Sequence, residues 1–242
     1  MKREFSEQQL SEVFERQIGK RLWTTKRPRI GMVLREMQAH QGQPDFVISI
    51  KGRTIPRGLI ERIVDGVSRP SAARVLSLLG VSAARSEEYL LKASGLSGKV
   101  LVETLRNLEE RRLIDQPRRG RFVLRHEIAM TNLEFWAFEV KVDDWQRALY
   151  QGLQYRTFAH RVSIVLGEKW VHRVEPHRKL FGTFGIGVIA VDPQRSSLRA
   201  VIEAKRRAPT SRFQYWCALA RFLGQRTGPT RANPRVQAIL AR

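Results

Sequence analysis

The alternation of strand-like and helix-like runs after residue 128 constrains the fold of this chain more than any other feature of its sequence. Glu134 to Val142 reads as a strand, Asp144 to Ala159 as a helix, Val162 to Leu166 as a buried strand and Gly185 to Val191 as another. A helix is expected over Trp170 to Phe181, and Ser197 to Ala204 adds a further strand. Strand and helix in alternation imply a sheet covered by helices, and so an α/β class.

The first 55 residues carry a second set of signals. Phe5, Leu10, Val13, Phe14 and Ile18 fall at helical spacing behind Ser6, a suitable N-cap. An extended stretch from Ile30 to Met37, the polar turn His40-Gln41-Gly42-Gln43 and the β-rich run Phe46 to Ile50 read as a hairpin, with Pro44-Asp45 opening its second strand. Lys51 to Pro56 reads as an exit linker. Residues 56 to about 126 then change character, with helical patterns over Ser71–Leu79, Glu87–Ala93 and Ser97–Arg111 and a short strand at Phe122–Leu124. Gly95 supplies a tight turn, Ser97 can cap the helix after it, and Leu96, Leu101, Leu105 and Leu108 fill a small three-helix core. This segment closely resembles a winged helix-turn-helix, with Arg118, Arg119 and Arg121 at the tip of the wing. In that arrangement Lys99 and Arg106 face phosphate beside the wing arginines. Glu103 opposes phosphate, and Val102 offers a base edge only an apolar contact.

Charge limits the partners. The 242 residues hold 44 Lys and Arg against 23 Asp and Glu, a net charge of +21, and 34 of the basic residues are Arg. Such a surplus repels itself and calls for a polyanion, and the planar guanidinium suits phosphate, so nucleic acid is the expected partner. The basic bias is steepest over residues 195–242, where Glu203 is the single acid among 11 basic residues. With 42% hydrophobic residues the chain can build a core and is not of the disordered class. One cysteine, Cys217, excludes an internal disulfide and a thiolate zinc site and fits a reducing, cytoplasmic setting. The polar opening Met1-Lys2-Arg3-Glu4 lacks the apolar run of a secretory signal, and no run approaches the roughly 20 apolar residues of a membrane span.

The chemistry is expected around Phe138-Glu139-Val140-Lys141. Side chains two apart on a strand share a face, so Glu139 and Lys141 project together. On the helix that follows, Gln151 and Tyr155 are four apart and also share a face. A carboxylate beside an ammonium, with amide and phenol groups near, suits phosphodiester hydrolysis: the carboxylate holds a hard divalent cation and the ammonium orients water or steadies charge on phosphorus. A second carboxylate is needed for Mg²⁺ or Mn²⁺, and Asp45 is the first candidate. Glu36, Glu12 and Glu15 are further acids that could assist. The five histidines show no metal-ligand spacing and read as surface or helix-end residues, Trp136 and Trp145 as packing residues, and Cys217 as a core thiol.

Pro44-Asp45, Glu139-x-Lys141 and Gln151-x-x-x-Tyr155 together resemble the PD-(D/E)XK nuclease superfamily. The resemblance covers about residues 1–55 and 128–200. It implies a restriction endonuclease-like mixed sheet flanked by helices and metal-dependent DNA cleavage, with Asp45 and Glu139 as ligands of Mg²⁺ or Mn²⁺, Lys141 as catalytic partner, and Gln151 and Tyr155 placing the phosphate. Asp45 lies 94 positions before Glu139, where the family normally has a short hairpin. An inserted domain explains the gap. The rival is Glu127, which would make the nuclease contiguous and residues 1–55 a separate piece. Asp45 is preferred because residues 1–55 are too few to form a core alone. The expected organisation is a first nuclease part at 1–55, a winged helix-turn-helix at 56–127, a second nuclease part at 128–224 and a basic tail at 225–242. The function expected is a Mg²⁺-dependent endonuclease acting on double-stranded DNA, in genome defence or mobile-DNA processing, a homodimer if it breaks both strands. Its rivals are a DNA-binding regulator with a silent nuclease-like fold and an RNA-processing protein.

Overall fold

The computed structural model describes residues 5–18, 30–50, 55–131 and 133–227. In chain order they form helix α1 (Glu7–Ile18), strands β1 (Ile30–Arg35) and β2 (Phe46–Ile50), helices α2 (Arg57–Gly66) and α3 (Pro70–Leu78) and the short strand β3 (Arg85–Ser86). Helices α4 (Glu87–Ser94) and α5 (Gly98–Glu110), strands β4 (Ile114–Arg118) and β5 (Arg121–Leu124) and the single turn α6 (His126–Ala129) follow. Then come β6 (Glu134–Lys141), α7 (Trp145–Tyr155), β7 (Arg161–Gly167), α8 (Arg178–Phe184), β8 (Ile186–Asp192), β9 (Ser197–Ile202) and α9 (Arg212–Thr227). They divide into two units, one drawn from Met1–Gly52 and Glu134–Thr210, the other from Arg53–Leu133 and Ser211–Thr230.

The first unit is an α/β fold around a mixed six-stranded sheet in the order β1-β2-β6-β7-β8-β9. Its directions follow from the connections. The β1–β2 hairpin is antiparallel, the helical crossovers from β6 to β7 and from β7 to β8 make those pairs parallel, and the short turn after β8 returns β9 antiparallel. The period-two alternation sends Phe46, Ile48, Trp136, Phe138 and Val140 to one face, where Leu10, Val13, Phe14 and Ile18 of α1 bury against them. Phe14 lies at the centre, with ring centroids 5.2 Å from Phe46 and 5.0 Å from Phe138. The opposite face of β6, carrying Phe135, Ala137 and Glu139, is equally buried and packs with α7. Ser6 caps α1 as expected, accepting from Gln9 N while Gln9 Oε1 accepts from Ser6 N.

One helix expected over Trp170 to Phe181 is instead two 3-10 turns, Glu168–Arg173 and Glu175–His177, and then α8. Pro176 is the cause: it has no amide to donate and its ring clashes with the preceding turn.

The second unit combines α2, α3, α4, α5 and α9 with a three-stranded antiparallel sheet in the order β3-β5-β4. Leu101, Leu105 and Leu108 are buried, Leu96 is half-buried, Gly95 has φ 64° at the turn, and Ser97 caps α5 by accepting from Val100 N. Three helices were not anticipated, the single turn α6 among them. Helix α2 buries Ile60 and Ile63. Helix α9 packs on α2 and α3, burying Trp216, Leu219, Phe222 and Leu223, so the boundary expected at residue 224 falls instead at 210. Polar bonds fix it there: Tyr215 Oη donates to Leu133 O at 3.2 Å and Arg212 Nη2 to Leu79 O at 2.7 Å. Residues 51–54 of the expected linker and 228–242 of the expected tail lie outside the described residues, while Gln225–Thr227 end α9. Among the described residues no helix is long and apolar enough to cross a membrane.

Removing the Phe14 ring deletes the contact that docks α1 on the sheet. Phe14→Ala is expected to lower the unfolding free energy by about 3–5 kcal/mol in urea titrations. A loss below about 1 kcal/mol would mean that α1 does not close this core.

Candidate active site

The site starts from strand register. β2 and β6 pair antiparallel with Phe46 opposite Phe138 and Val47 opposite Ala137, so one further step sets Asp45 opposite Glu139. Backbone pairing stops at Phe46, which leaves the Val140 amide pointing beyond the end of β2. The Asp45 side chain takes that amide, Oδ2 accepting from Val140 N at 2.7 Å, and so extends the ladder by one rung. Asp45 O accepts from Glu36 N at 2.9 Å and closes the hairpin on its other side.

Glu139 is only 1% exposed, and both its oxygens are engaged. Lys141 Nζ lies 2.8 Å from Oε1, and the Tyr155 hydroxyl donates to Oε2 at 2.5 Å. Lys141 also donates to Val140 O at 3.0 Å and reaches Glu7 Oε2 on α1 at 3.5 Å. The α7 face that Gln151 and Tyr155 share is held by the Asp144 cap, which accepts from Arg147 N. Gly42 in the hairpin loop covers Tyr155: its φ is +77°, and an added Cβ would stand 2.9 Å from Tyr155 Cε1. Gln151 Oε1 is buried and has no hydrogen-bond partner, an unmet acceptor at a site otherwise well satisfied.

The electrostatics follow from burial and like charge. Asp45 is pushed up from 3.8 to about 6, first by burial and then by the neighbouring Glu139 carboxylate, against the opposing Val140 amide and Lys141. Burial alone would lower Lys141, but the hydrogen bond and charge of Glu139, with Asp45 and Glu7, hold it above the usual ammonium value. Lys141 is therefore a fixed cation. Burial, and then Glu139, raise Tyr155 well above the usual phenol range, so its proton stays on oxygen. The set is two hard carboxylates repelling each other in a half-closed site. That donor chemistry fits a hard divalent cation, which is commonly held by one or two carboxylates with water and substrate phosphate completing its shell. Among the described residues no group of three or more His, Cys, Asp or Glu is arranged to hold a metal.

Of the other acids weighed from sequence, Glu36 stands beside Asp45 through its backbone with an exposed side chain, and the rest are engaged away from the pair. Glu127 pairs with Arg62 and Arg125 inside the second unit, Glu15 binds Arg35 through two bonds, Glu12 accepts from Gln8, and Glu36 is exposed with φ 48°. Glu7 was missed, although it is the first acid after the Ser6 cap and so lies at the helix end nearest Lys141. The depth of Tyr155 was missed too: it is fully buried and holds Glu139, so placing phosphate is not open to it directly. His160 is a second correction, being buried rather than at the surface. Its Nδ1 accepts from Phe135 N at 3.2 Å, and burial pushes its pKa down to about 4. Trp136 packs as expected, its indole donating to Ser163, and burial pushes the Cys217 thiol up.

In the second unit Lys99 and Arg106 are exposed on α5, and Arg118, Arg119 and Arg121 are exposed at the tip joining β4 to β5. Among the described residues no carboxylate is ion-paired with any of the five. Val102 is 46% exposed beside them. No family model, curated protein or solved structure matches the chain.

Asp45 gives a signed pH dependence. Its pKa is raised in the folded state, so the native protein holds the extra proton between pH 3.8 and about 6 and loses stability as pH rises through that window. Asp45→Asn should remove this decline and be more stable than wild type above pH 7 in the absence of divalent cations. Urea titrations across pH read it, and parallel curves for the two proteins would contradict the raised carboxylate.

Proposed function

We propose that the chain is a divalent-cation-dependent DNA endonuclease of the restriction endonuclease-like kind, with a winged helix-turn-helix inserted between the two parts of its sheet unit. One observation carries this: two carboxylates 94 positions apart meet across the β2–β6 register, beside an ion-paired ammonium. An ordinary surface ion pair has no need of the second carboxylate, whose burial beside Glu139 costs stability.

Asp45 and Glu139 are the residues that would hold Mg²⁺ or Mn²⁺, which when bound supplies charge neutralisation at the scissile phosphate and a more acidic bound water. Each ionised carboxylate has about four acceptor positions, so Glu139 keeps free ones beyond those given to Lys141 and Tyr155. Lys141, kept protonated by Glu139, steadies negative charge that builds on the phosphate oxygens as water attacks phosphorus and the ester bond breaks. Tyr155 is a positioning residue for Glu139. The buried Gln151 oxygen is an acceptor for an ordered water. Exposed Lys99, Arg106, Arg118, Arg119 and Arg121 hold the duplex backbone, with the +21 charge adding non-specific attraction. One such site cuts one strand, so double-strand breaks require a homodimer. The lone thiol fits a cytoplasmic setting.

A second reading, a DNA-binding regulator with a silent site, is favoured by the closure of Glu139, whose oxygens are both bonded and nearly solvent-free. Supercoiled plasmid with Mg²⁺ or Mn²⁺ separates the two. On the nuclease reading wild type nicks it, and Glu139→Ala and Lys141→Ala each lower the rate by at least about a hundredfold while still binding. Binding without nicking by wild type would establish the regulator.

The wing gives an independent prediction. Replacing Arg118, Arg119 and Arg121 together by Ala should weaken duplex binding and reduce the slope of log K against log salt by up to about 3, since each phosphate contact contributes roughly 0.9. An unchanged slope in fluorescence anisotropy would exclude the wing from the DNA.

A further inference from the structure

Beyond the carboxyl ends of the parallel strands lies a cavity of about 250 Å³ that the cluster does not use. In open α/β sheets this end is where ligands enter. Its floor is Val142, Gly167 and Val191, at or just past the ends of β6, β7 and β8, and Leu10, Phe5 and Trp170 form its apolar walls. Val142 directly follows Lys141, and Phe5 stands two residues before Glu7, the acid that reaches Lys141. Val142 turns to the α1 face while Glu139 and Lys141 turn to the other, so the cavity lies on the α1 face and approaches the cluster only through Phe5 and Glu7 at the start of α1. Gly167 keeps the slot open beside the indole: an added Cβ would lie 3.4 Å from Trp170 Cδ1 and 3.2 Å from Val142 O.

We propose that this cavity receives one unstacked nucleobase of the DNA strand whose phosphate occupies the cluster, a proposal that rests on the nuclease reading above. The size fits, since 250 Å³ is below the range of drug-sized ligands yet ample for a single planar ring system. The lining fits as well. A base needs a flat partner, which Phe5 and the face of Trp170 not covered by the Arg173 guanidinium (4.3 Å from the ring centroid) provide, and hydrogen-bonding groups at its edge, which Asp192 and Gln194 provide. The Asp192 carboxylate is held in place by accepting from the Gln194 and Arg195 amides at 3.0 and 3.2 Å, so it is a fixed acceptor for an exocyclic amine. Such a pocket selects DNA with an unpaired or easily unstacked nucleotide next to the cut, such as a mismatch, flap or single-stranded junction, because fewer stacking contacts are lost on entry.

The test uses the full chain in Ca²⁺ and short DNA duplexes carrying 2-aminopurine, either paired or opposite an abasic gap, at successive positions. A base leaving the stack alters 2-aminopurine emission, so the expected result is a change at one position only, larger for the unpaired probe. Trp170→Ala should remove that change and weaken binding of the gapped duplex about tenfold, the loss of one base–aromatic stack. Gln194→Trp, a substitution at an exposed position, should plug the mouth and do the same without touching the core. No position-specific change with wild type, or the same change with Gln194→Trp, would overturn the pocket. Plasmid nicking is scored separately with Mg²⁺: nicking with a silent probe removes the pocket and leaves the nuclease, whereas a probe response without nicking supports the pocket and removes the nuclease.

Discussion

The hydrogen bond from the Val140 amide to Asp45 is the interaction on which the site depends. Strand pairing brings β2 to the edge of β6 but stops at Phe46, and a backbone amide there must find an acceptor. The Asp45 carboxylate meets that need and in doing so is fixed beside Glu139. Burial first, and then the neighbouring Glu139 carboxylate, push the Asp45 carboxyl up to about 6. Lys141 and Tyr155 both bond Glu139, while among the described residues no ion pair joins Asp45, on which Lys141 acts through its charge alone. The cluster thus carries a standing electrostatic cost, set against the bond that Asp45 gives the Val140 amide.

Around that bond the fold acts as a positioning device. Helix α1 covers one face of the sheet through Phe14 and brings Glu7 to Lys141. Helix α7 covers the other face and brings Tyr155 to Glu139, with Gly42 of the β1–β2 loop closing over the phenol. The parallel strands end together, and past their ends on the α1 face lies the cavity floored by Val142, Gly167 and Val191. In the second unit Lys99 and Arg106 on α5 and Arg118, Arg119 and Arg121 at the β4–β5 tip are exposed, separate in sequence from the chemistry.

What could be read from the sequence was local. Glu139, Lys141, Gln151 and Tyr155 stand within one strand–helix pair, so period-two and period-3.6 spacing place them on shared faces without knowledge of the rest. Asp45 could be named from its flanks, but its meeting with Glu139 depends on a strand register spanning the intervening second unit, which no local pattern encodes. Depth was illegible for the same reason. Spacing says which face Tyr155 occupies, while its complete burial comes from the hairpin loop packing above it. Glu7 and His160 look like ordinary charged and polar residues until α1 and the segment after α7 dock. Helix α9 was misassigned because its apolar run follows the sheet unit in sequence, whereas the surface that accepts it, on α2 and α3, lies more than 130 residues earlier.

The central claim is that Asp45 and Glu139 share one divalent cation, and anomalous diffraction from crystals soaked in Mn²⁺ tests it most directly. A single manganese peak bonded to both carboxylates, absent from Asp45→Asn crystals, is the result expected. A peak located elsewhere, or none while the two carboxylates remain as they are without metal, would contradict it.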